Sequence, residues 1–149
     1  MAELRIGCLA MAVLVVGTLI YVGIESNRED PAAEALANRA VIRIGNGIGW
    51  DHIEVKEAKY HSYTLKLVYR APGPDNIFTV IEDTRKIARA ILGELVASGH
   101  NPSSDGTFLW VWAQVQAGRG ETGAQLVRIY GHTEYNFDND QLEFKPWKP

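Results

Sequence analysis

Hydrophobic and polar positions follow a helical period over residues 76–98. Apolar or small side chains recur there at alternating spacings of four and three residues, at Ile77, Ile81, Thr84, Ala88, Ile91 and Leu95. Charged side chains such as Glu82 and Arg89 fall on the opposite side. Asp75 precedes the pattern as the predicted N-cap, and Gly99 follows its end. The pattern predicts one long amphipathic helix against which the other elements pack.

The segments on either side of this helix carry strand patterns. Residues 62–70 alternate cleanly between apolar and polar, and residues 107–117 are apolar on both faces. The predicted strands are 40–44, 52–60 and 62–70 before the helix, and 107–117, 125–135 and 141–147 after it. The order β-β-β-α-β-β-β predicts an α+β domain with an antiparallel or mixed sheet and the helix packed on one face.

A separate apolar stretch lies near the N-terminus. Residues 6–24 form a run of 19 residues without a charge, which nearly crosses a hydrocarbon core of about 30 Å. The stretch predicts a membrane anchor at 1–25, followed by a short polar spacer at 26–39 with a helix at 31–38, and then the domain at 40–149. We expect the N-terminus in the cytoplasm and residues 26–149 outside it, in the periplasm or at the cell exterior.

Cleavage of the apolar stretch as a signal peptide is the alternative, and it would make the protein secreted. No A-x-A site follows the stretch closely, and the run exceeds the usual length of a signal core, about 7–15 residues. Both observations favour the anchor.

Composition narrows the possible partners and cofactors. The formal net charge of -3 and the pI of about 5.8 argue against a nucleic-acid binder, which usually carries a basic excess. The glycine-rich residues 45–49 resemble a phosphate-binding loop, but Trp50 stands at the sixth position and a strand pattern follows instead of a helix start. No cofactor is predicted.

Histidines and carboxylates offer no recognisable catalytic or metal motif. His52 and Glu54 are two residues apart in a predicted strand, as are His132 and Glu134, so each pair shares a sheet face. No third metal ligand is identifiable, and H-E-x-x-H, C-x-x-C and G-x-S-x-G are absent from the sequence. The sequence assigns neither a catalytic residue nor a metal ligand, and it favours a protein that is not an enzyme.

Alternation in the strand at 107–117 predicts a binding face. Its aliphatic positions suit the side covered by the helix, which leaves Phe108 and two tryptophans on the other side. Continuing the same alternation into 125–135 gives a predicted binding set of Trp110, Trp112, Arg128, Tyr130 and His132. Aromatic residues and arginine carry much of the energy of protein interfaces. The competing interpretation is that residues 40–60 fold over this face and bury the tryptophans as ordinary core.

These observations predict a membrane-anchored binding or assembly module outside the cytoplasm, for example an accessory subunit of an envelope complex. The alternative is an enzyme or small-ligand-binding domain whose site is assembled from residues distant in sequence. A cleft with convergent polar groups and shifted pKa values would favour that alternative.

Overall fold

A computed structural model describes residues 30–45, 49–59, 61–123 and 125–149. The predicted membrane anchor at residues 1–25 lies outside them. Within the described part of the chain, no helix is both long enough and apolar enough to cross a membrane.

Two helices and five strands make up the described domain. In chain order they are α1 (Pro31–Ile44), β1 (Trp50–Lys59), β2 (Ser62–Tyr69), α2 (Ile77–Ala97), β3 (Phe108–Arg119), β4 (Gln125–Asn136) and β5 (Gln141–Pro146). The sheet has the order β1-β2-β3-β4-β5. The β2–β3 pair is parallel because α2 carries the chain back across the sheet, and the other neighbouring pairs are antiparallel. The predicted α+β class is confirmed, and of the two predicted sheet types, antiparallel or mixed, the sheet is mixed.

The strand predicted at residues 40–44 is wrong, because these residues continue α1. Asp30 caps the helix by accepting hydrogen bonds from the amides of Ala32 and Ala33. Small and aliphatic residues at helical spacing are then buried, at Ala33, Leu36, Ala37 and Ala40. The β-branched residues that follow have high strand propensity, yet the burial of this stripe holds them in the helix.

α2 is the predicted amphipathic helix with its buried stripe shifted. It begins after Asn76, whose side chain accepts from the amide of Phe78, so Asn76 is the N-cap instead of Asp75. Ile77 is 39% exposed and Ile81 is only partly buried. The buried residues are Val80, Thr84, Ile87, Ala88, Ile91, Glu94 and Leu95. This face is wide because α2 packs against α1 as well as against the sheet.

The contact between the helices includes a buried carboxylate. Glu94 of α2 has a side chain only 5% exposed and lies 3.3 Å from Arg39 Nε and 2.6 Å from Arg43 Nη2, both in α1. A buried charge requires such partners, since an unpaired one costs several kcal/mol. The two arginines therefore fix α1 against α2.

Both helices lie on the same side of the sheet and share one core with it. Leu65, Val111 and Val115 project from β2 and β3 into the core and are at most 1% exposed. Within that core, Thr84 of α2 and Thr133 of β4 share a hydrogen bond of 2.7 Å. The domain is thus a two-layer structure, and among the described residues no helix covers the second side of the sheet.

Candidate functional site

The side of the sheet opposite the two helices is named the open face. Along β3, Leu109, Val111, Ala113 and Val115 point towards the helices and are at most 1% exposed. The alternate residues point the other way, and Phe108 is 56% and Trp110 44% exposed. The predicted sidedness of β3 is therefore confirmed.

Two complete rows of side chains cross the open face from β1 to β5. Strand register places Glu57, Thr64, Trp110, Glu134 and Glu143 side by side, and this set is named the Trp110 row. The neighbouring Trp112 row consists of Glu54, Lys66, Trp112, His132 and Lys145. Each row has a tryptophan at its centre and charged side chains towards both edges.

Aromatic rings meet along the middle of this face. The rings of Trp112 and His132 lie 4.3 Å apart between centroids with an interplanar angle of 34°, which is close to stacking. Trp110 approaches the same imidazole edge-on at 6.0 Å, and Trp147 approaches Trp112 at 6.3 Å. The structure thus brings together Trp110, Trp112 and His132 of the predicted binding set, and it adds Trp147.

Arg128 and Tyr130 of the predicted set do not reach the open face. A bulge in β4 interrupts the alternation, because Ala113 pairs with Gly131 whereas the next residue, Gln114, pairs with Ile129. Beyond this point Val115, on the helix side, pairs with Arg128. The prediction that all five residues share one face is wrong, since the extra residue reverses the sides of the strand.

Both residues instead hold the loop that precedes α2. The Tyr130 hydroxyl donates to the carbonyl of Pro74 at 2.8 Å, and Arg128 Nη2 donates to the carbonyl of Pro72 at 2.9 Å. The Tyr130 ring also packs edge-on against Tyr69 at 5.8 Å. Arg128 and Tyr130 therefore hold this loop in place on the helix side of the sheet.

A single glycine allows this loop to approach the sheet. Gly73 has a φ of +80°, and a Cβ at this position would lie 2.2 Å from Val115 Cγ2 and 2.6 Å from the Tyr130 hydroxyl. Glycine is therefore required for both the backbone conformation and the contact.

Residues 40–60 do not fold over the open face where the structure describes them. Residues 40–44 belong to α1 on the helix side, and residues 50–59 form β1 at the edge of the sheet. The competing interpretation, that this segment covers the tryptophans, is therefore wrong for these residues.

The charged groups towards the β1 edge of the open face are paired laterally. Glu54 contacts Lys56, lies 2.9 Å from His52 Nε2 and 3.7 Å from Lys66 Nζ. The hydrogen bond from Lys56, followed by that from His52, lowers the pKa of Glu54 to about 2. In turn, hydrogen bonds to Glu54 and then to Asp51 raise the pKa of His52 above its usual value. The carboxylate is therefore ionised at neutral pH.

A similar network lies at the β5 edge. Lys145 Nζ is 2.8 Å from Glu143 and 3.5 Å from Glu134, and Glu134 is 3.6 Å from His132 Nε2. The hydrogen bond with Glu143 raises the pKa of Lys145. Both flanks of the aromatic centre thus present ionised side chains.

The pairs His52–Glu54 and His132–Glu134 each share a face as predicted. Within the described residues, no group of three or more histidine, cysteine, aspartate or glutamate side chains is arranged to hold a metal. A cavity of about 360 Å³ lies elsewhere, between α1 and the C-terminal end of α2. Its lining includes Leu36, Leu95 and the edge-to-face pair of His61 and His100, with ring centroids 6.5 Å apart. The charged network of β1 lies outside this cavity.

The open face has several members that the predicted binding set does not include. Lys66, Glu134 and Lys145 join the face through strand register, and Trp147, which follows β5, joins it through its ring contact with Trp112. For Glu134 the sequence does indicate the face, because Glu134 lies two residues from His132 in the same strand. For Lys145 and Trp147 the sequence gives no such indication, since the neighbours of β5 depend on tertiary pairing.

The fold and this face define a two-layer α+β domain with one sheet surface that no described helix covers. No protein-family model matches the chain, and no match was found among curated proteins or among solved structures.

Proposed function

We propose that this protein is a membrane-anchored binding or assembly module outside the cytoplasm, and that its open face binds a partner protein. The observation that carries the proposal is the exposure of Phe108 and Trp110 beside Trp112 on a sheet surface that no described helix covers. An aromatic centre with a polar rim is the usual anatomy of a protein interface.

Charge on the two rows supports a protein partner over a nucleic acid. The carboxylates are Glu54, Glu57, Glu134 and Glu143, whereas the ammonium groups are Lys66 and Lys145. Phosphate backbones are bound by basic surfaces, and these rows carry more carboxylates than amines. A mixed charged rim instead suits a protein surface with complementary charges.

The membrane part of the proposal rests on the uncharged residues 6–24. Pro31, where α1 begins, follows Ile24 by seven residues. Even a fully extended linker of this length spans only about 25 Å. An anchored domain would therefore stay close to the bilayer, which favours a partner in or at the same membrane.

An enzyme or small-ligand-binding domain receives less support. That alternative requires polar groups with shifted pKa values to converge in a cleft. The cavity between α1 and α2 combines aliphatic side chains such as Leu36 and Leu95 with polar ones such as His61 and His100. The carboxylate and imidazole with shifted pKa values, Glu54 and His52, lie outside it on the sheet surface.

Site-specific photo-cross-linking in intact membranes tests the proposed function. A photoreactive amino acid at position 110 should give a covalent adduct with a protein, which mass spectrometry of the adduct identifies. The matched control is position 89 on α2, where Arg89 has a side chain 61% exposed on the opposite side of the domain. Equal adduct yields from the two positions would contradict the proposal.

A further inference from the structure

The two rows of the open face carry opposite charges at their β5 ends, and on β4 a carboxylate lies beside an imidazole. The Trp110 row presents Glu134 and Glu143 on these strands, and the Trp112 row presents His132 and Lys145 on the same strands. A surface that places a carboxylate of one row beside an ammonium group of the next can pair with a second copy of itself, provided that the rows face each other in reverse order.

We propose that the partner of the open face is a second copy of this chain, an inference that rests on the proposed function. The two copies are related by a two-fold axis that runs across the strands, midway between the two rows. This axis places Trp110 opposite Trp112 of the second copy. It also sets the Glu143–Lys145 pair of one copy, 2.8 Å apart, against the reversed pair of the other, so that each of these charges gains a second partner of opposite sign. Each contact occurs twice, as in any isologous interface.

One kind of like-charge contact arises at the β1 edge of this arrangement, and it occurs twice. Glu57 of each copy lies opposite Glu54 of the other. Both carboxylates already have cations beside them, because Lys59 Nζ is 3.6 Å from Glu57 and Lys66 Nζ is 3.7 Å from Glu54. Each carboxylate therefore enters the interface with its charge largely balanced.

The size of the open face approaches what a stable dimer needs. Five strands about 4.8 Å apart, six residues long in β5 and at least eight in each of the others, give a flat area of roughly 600 Å². Standard interfaces bury about 800 Å² on each partner, and the side chains that project from the sheet add surface to the flat estimate. Two sheets packed face to face about 10 Å apart would bury Trp110 and Trp112 of both copies.

The placement of α1 supports this particular axis. α1 packs against β1 and α2, whereas α2 contacts β3, β4 and β5, so α1 lies towards the β1 edge of the sheet. An axis that runs across the strands leaves β1 of one copy opposite β1 of the other. The two α1 helices therefore lie at the same end of the dimer, as two copies anchored in one membrane require.

Charge reversal at the β5 edge tests the dimer, using the full chain in a mild nonionic detergent and sedimentation velocity. Glu143 and Lys145 have side chains 58% and 42% exposed, so their replacement should not affect folding. We expect the unmodified chain to dimerise, and both Glu143→Lys and Lys145→Glu to weaken dimerisation at least ten-fold. In a dimer of either single variant, residue 143 of one copy and residue 145 of the other carry the same charge, and this contact occurs twice.

Complementation separates this contact from a general effect of charge. A mixture of the two single variants should form heterodimers, because every pairing between positions 143 and 145 is again opposite in sign. The double variant Glu143→Lys/Lys145→Glu should dimerise with itself for the same reason. Arg89→Glu, a reversal on the opposite side of the domain, should leave dimerisation unchanged.

A monomeric full chain, or single variants that dimerise as the unmodified chain does, would overturn the self-association. If position 110 then still cross-linked a different protein, the proposed function would stand without it. Failure of both the sedimentation and the cross-linking experiments would remove both proposals.

Discussion

At the scale of single residues, Gly131 decides which side chains of β4 reach the open face. It lies at the bulge with a φ of +143°, and a Cβ there would lie 2.2 Å from the carbonyl oxygen of Lys145 in β5. Only glycine accepts both the backbone conformation and the close approach of β5. The bulge then directs Arg128 and Tyr130 to the helix side while His132 stays beside Trp112.

Gly131→Ala should therefore lower the free energy of unfolding by at least about 2 kcal/mol, from backbone strain together with the clash. Chemical denaturation measures this loss. The control is Gly93→Ala in α2, where a Cβ meets nothing within 4 Å. This change should stabilise by about 0.5–1 kcal/mol, because alanine has the higher helix propensity. Similar effects from the two substitutions would contradict the assignment of the bulge.

Glu54 should make the stability of the domain depend on acidic pH. Its pKa falls from 4.5 to about 2 on folding, mainly through Lys56 and His52. A carboxylate whose pKa is lowered by folding stabilises the folded state at pH values above its unfolded pKa. This stabilisation is lost as the pH falls from about 4.5 towards 2. An exposed network of this kind contributes up to about 1 kcal/mol.

Thermal unfolding between pH 6 and pH 2 measures the contribution of Glu54. The unmodified protein should lose more stability over this range than Glu54→Gln does, whereas Glu121→Gln in the exposed β3–β4 turn should follow the unmodified protein. Parallel curves for the unmodified protein and Glu54→Gln would show that the Lys56 and His52 contacts contribute nothing.

At the scale of elements, the periodicity of hydrophobic residues was enough to predict α2 and the face of the sheet to which each β3 side chain belongs. It was enough because burial against one partner imposes a regular pattern on the sequence. It failed at residues 40–44, where Val41 and Ile42 favour a strand locally but packing of α1 against α2 keeps the helix. It also failed in β4 before Gly131, at Arg128 and Tyr130, although a glycine inside a strand pattern itself indicates a bulge. The order of the strands and the two rows depend on tertiary pairing that no local pattern encodes.

The packing of α2 on the sheet can be tested at Leu95, which is 2% exposed. Leu95→Ala should lower the free energy of unfolding by about 2–5 kcal/mol, through lost burial and a residual cavity. Val96→Ala is the neighbouring control, since Val96 is 61% exposed, and it should change stability by less than about 0.5 kcal/mol. A loss below about 0.5 kcal/mol at Leu95 would mean that the buried face of α2 is assigned wrongly.

At the scale of the whole molecule, both helices cover one side of the sheet and leave Trp110 exposed on the other. A bare aromatic surface is unfavourable for a lone domain in water, and such surfaces usually serve as interaction sites. An anchor at residues 1–25 would hold this surface near the membrane. The proposed dimer would bury it without any change in the fold.

The membrane arrangement predicts where the two ends of the chain lie. A reporter that is active only outside the cytoplasm, fused after Pro149, should be active and should stay in the membrane fraction. Activity of a cytoplasm-only reporter at the same position would contradict the arrangement. Recovery of a soluble form that begins near Asn27 would instead support cleavage of a signal peptide.

The most direct test compares Trp110→Ala with Arg128→Ala, since the structure places these residues on opposite sides of the sheet. Capture of the partner identified by cross-linking, whether a second copy or another protein, is measured together with the melting temperature. Trp110→Ala should abolish capture and leave the melting temperature nearly unchanged. Arg128→Ala should retain capture and lose about 1 kcal/mol of stability, because the Pro72 carbonyl loses its donor. Capture that survives Trp110→Ala, or that falls only in step with unfolding, would contradict binding through the open face.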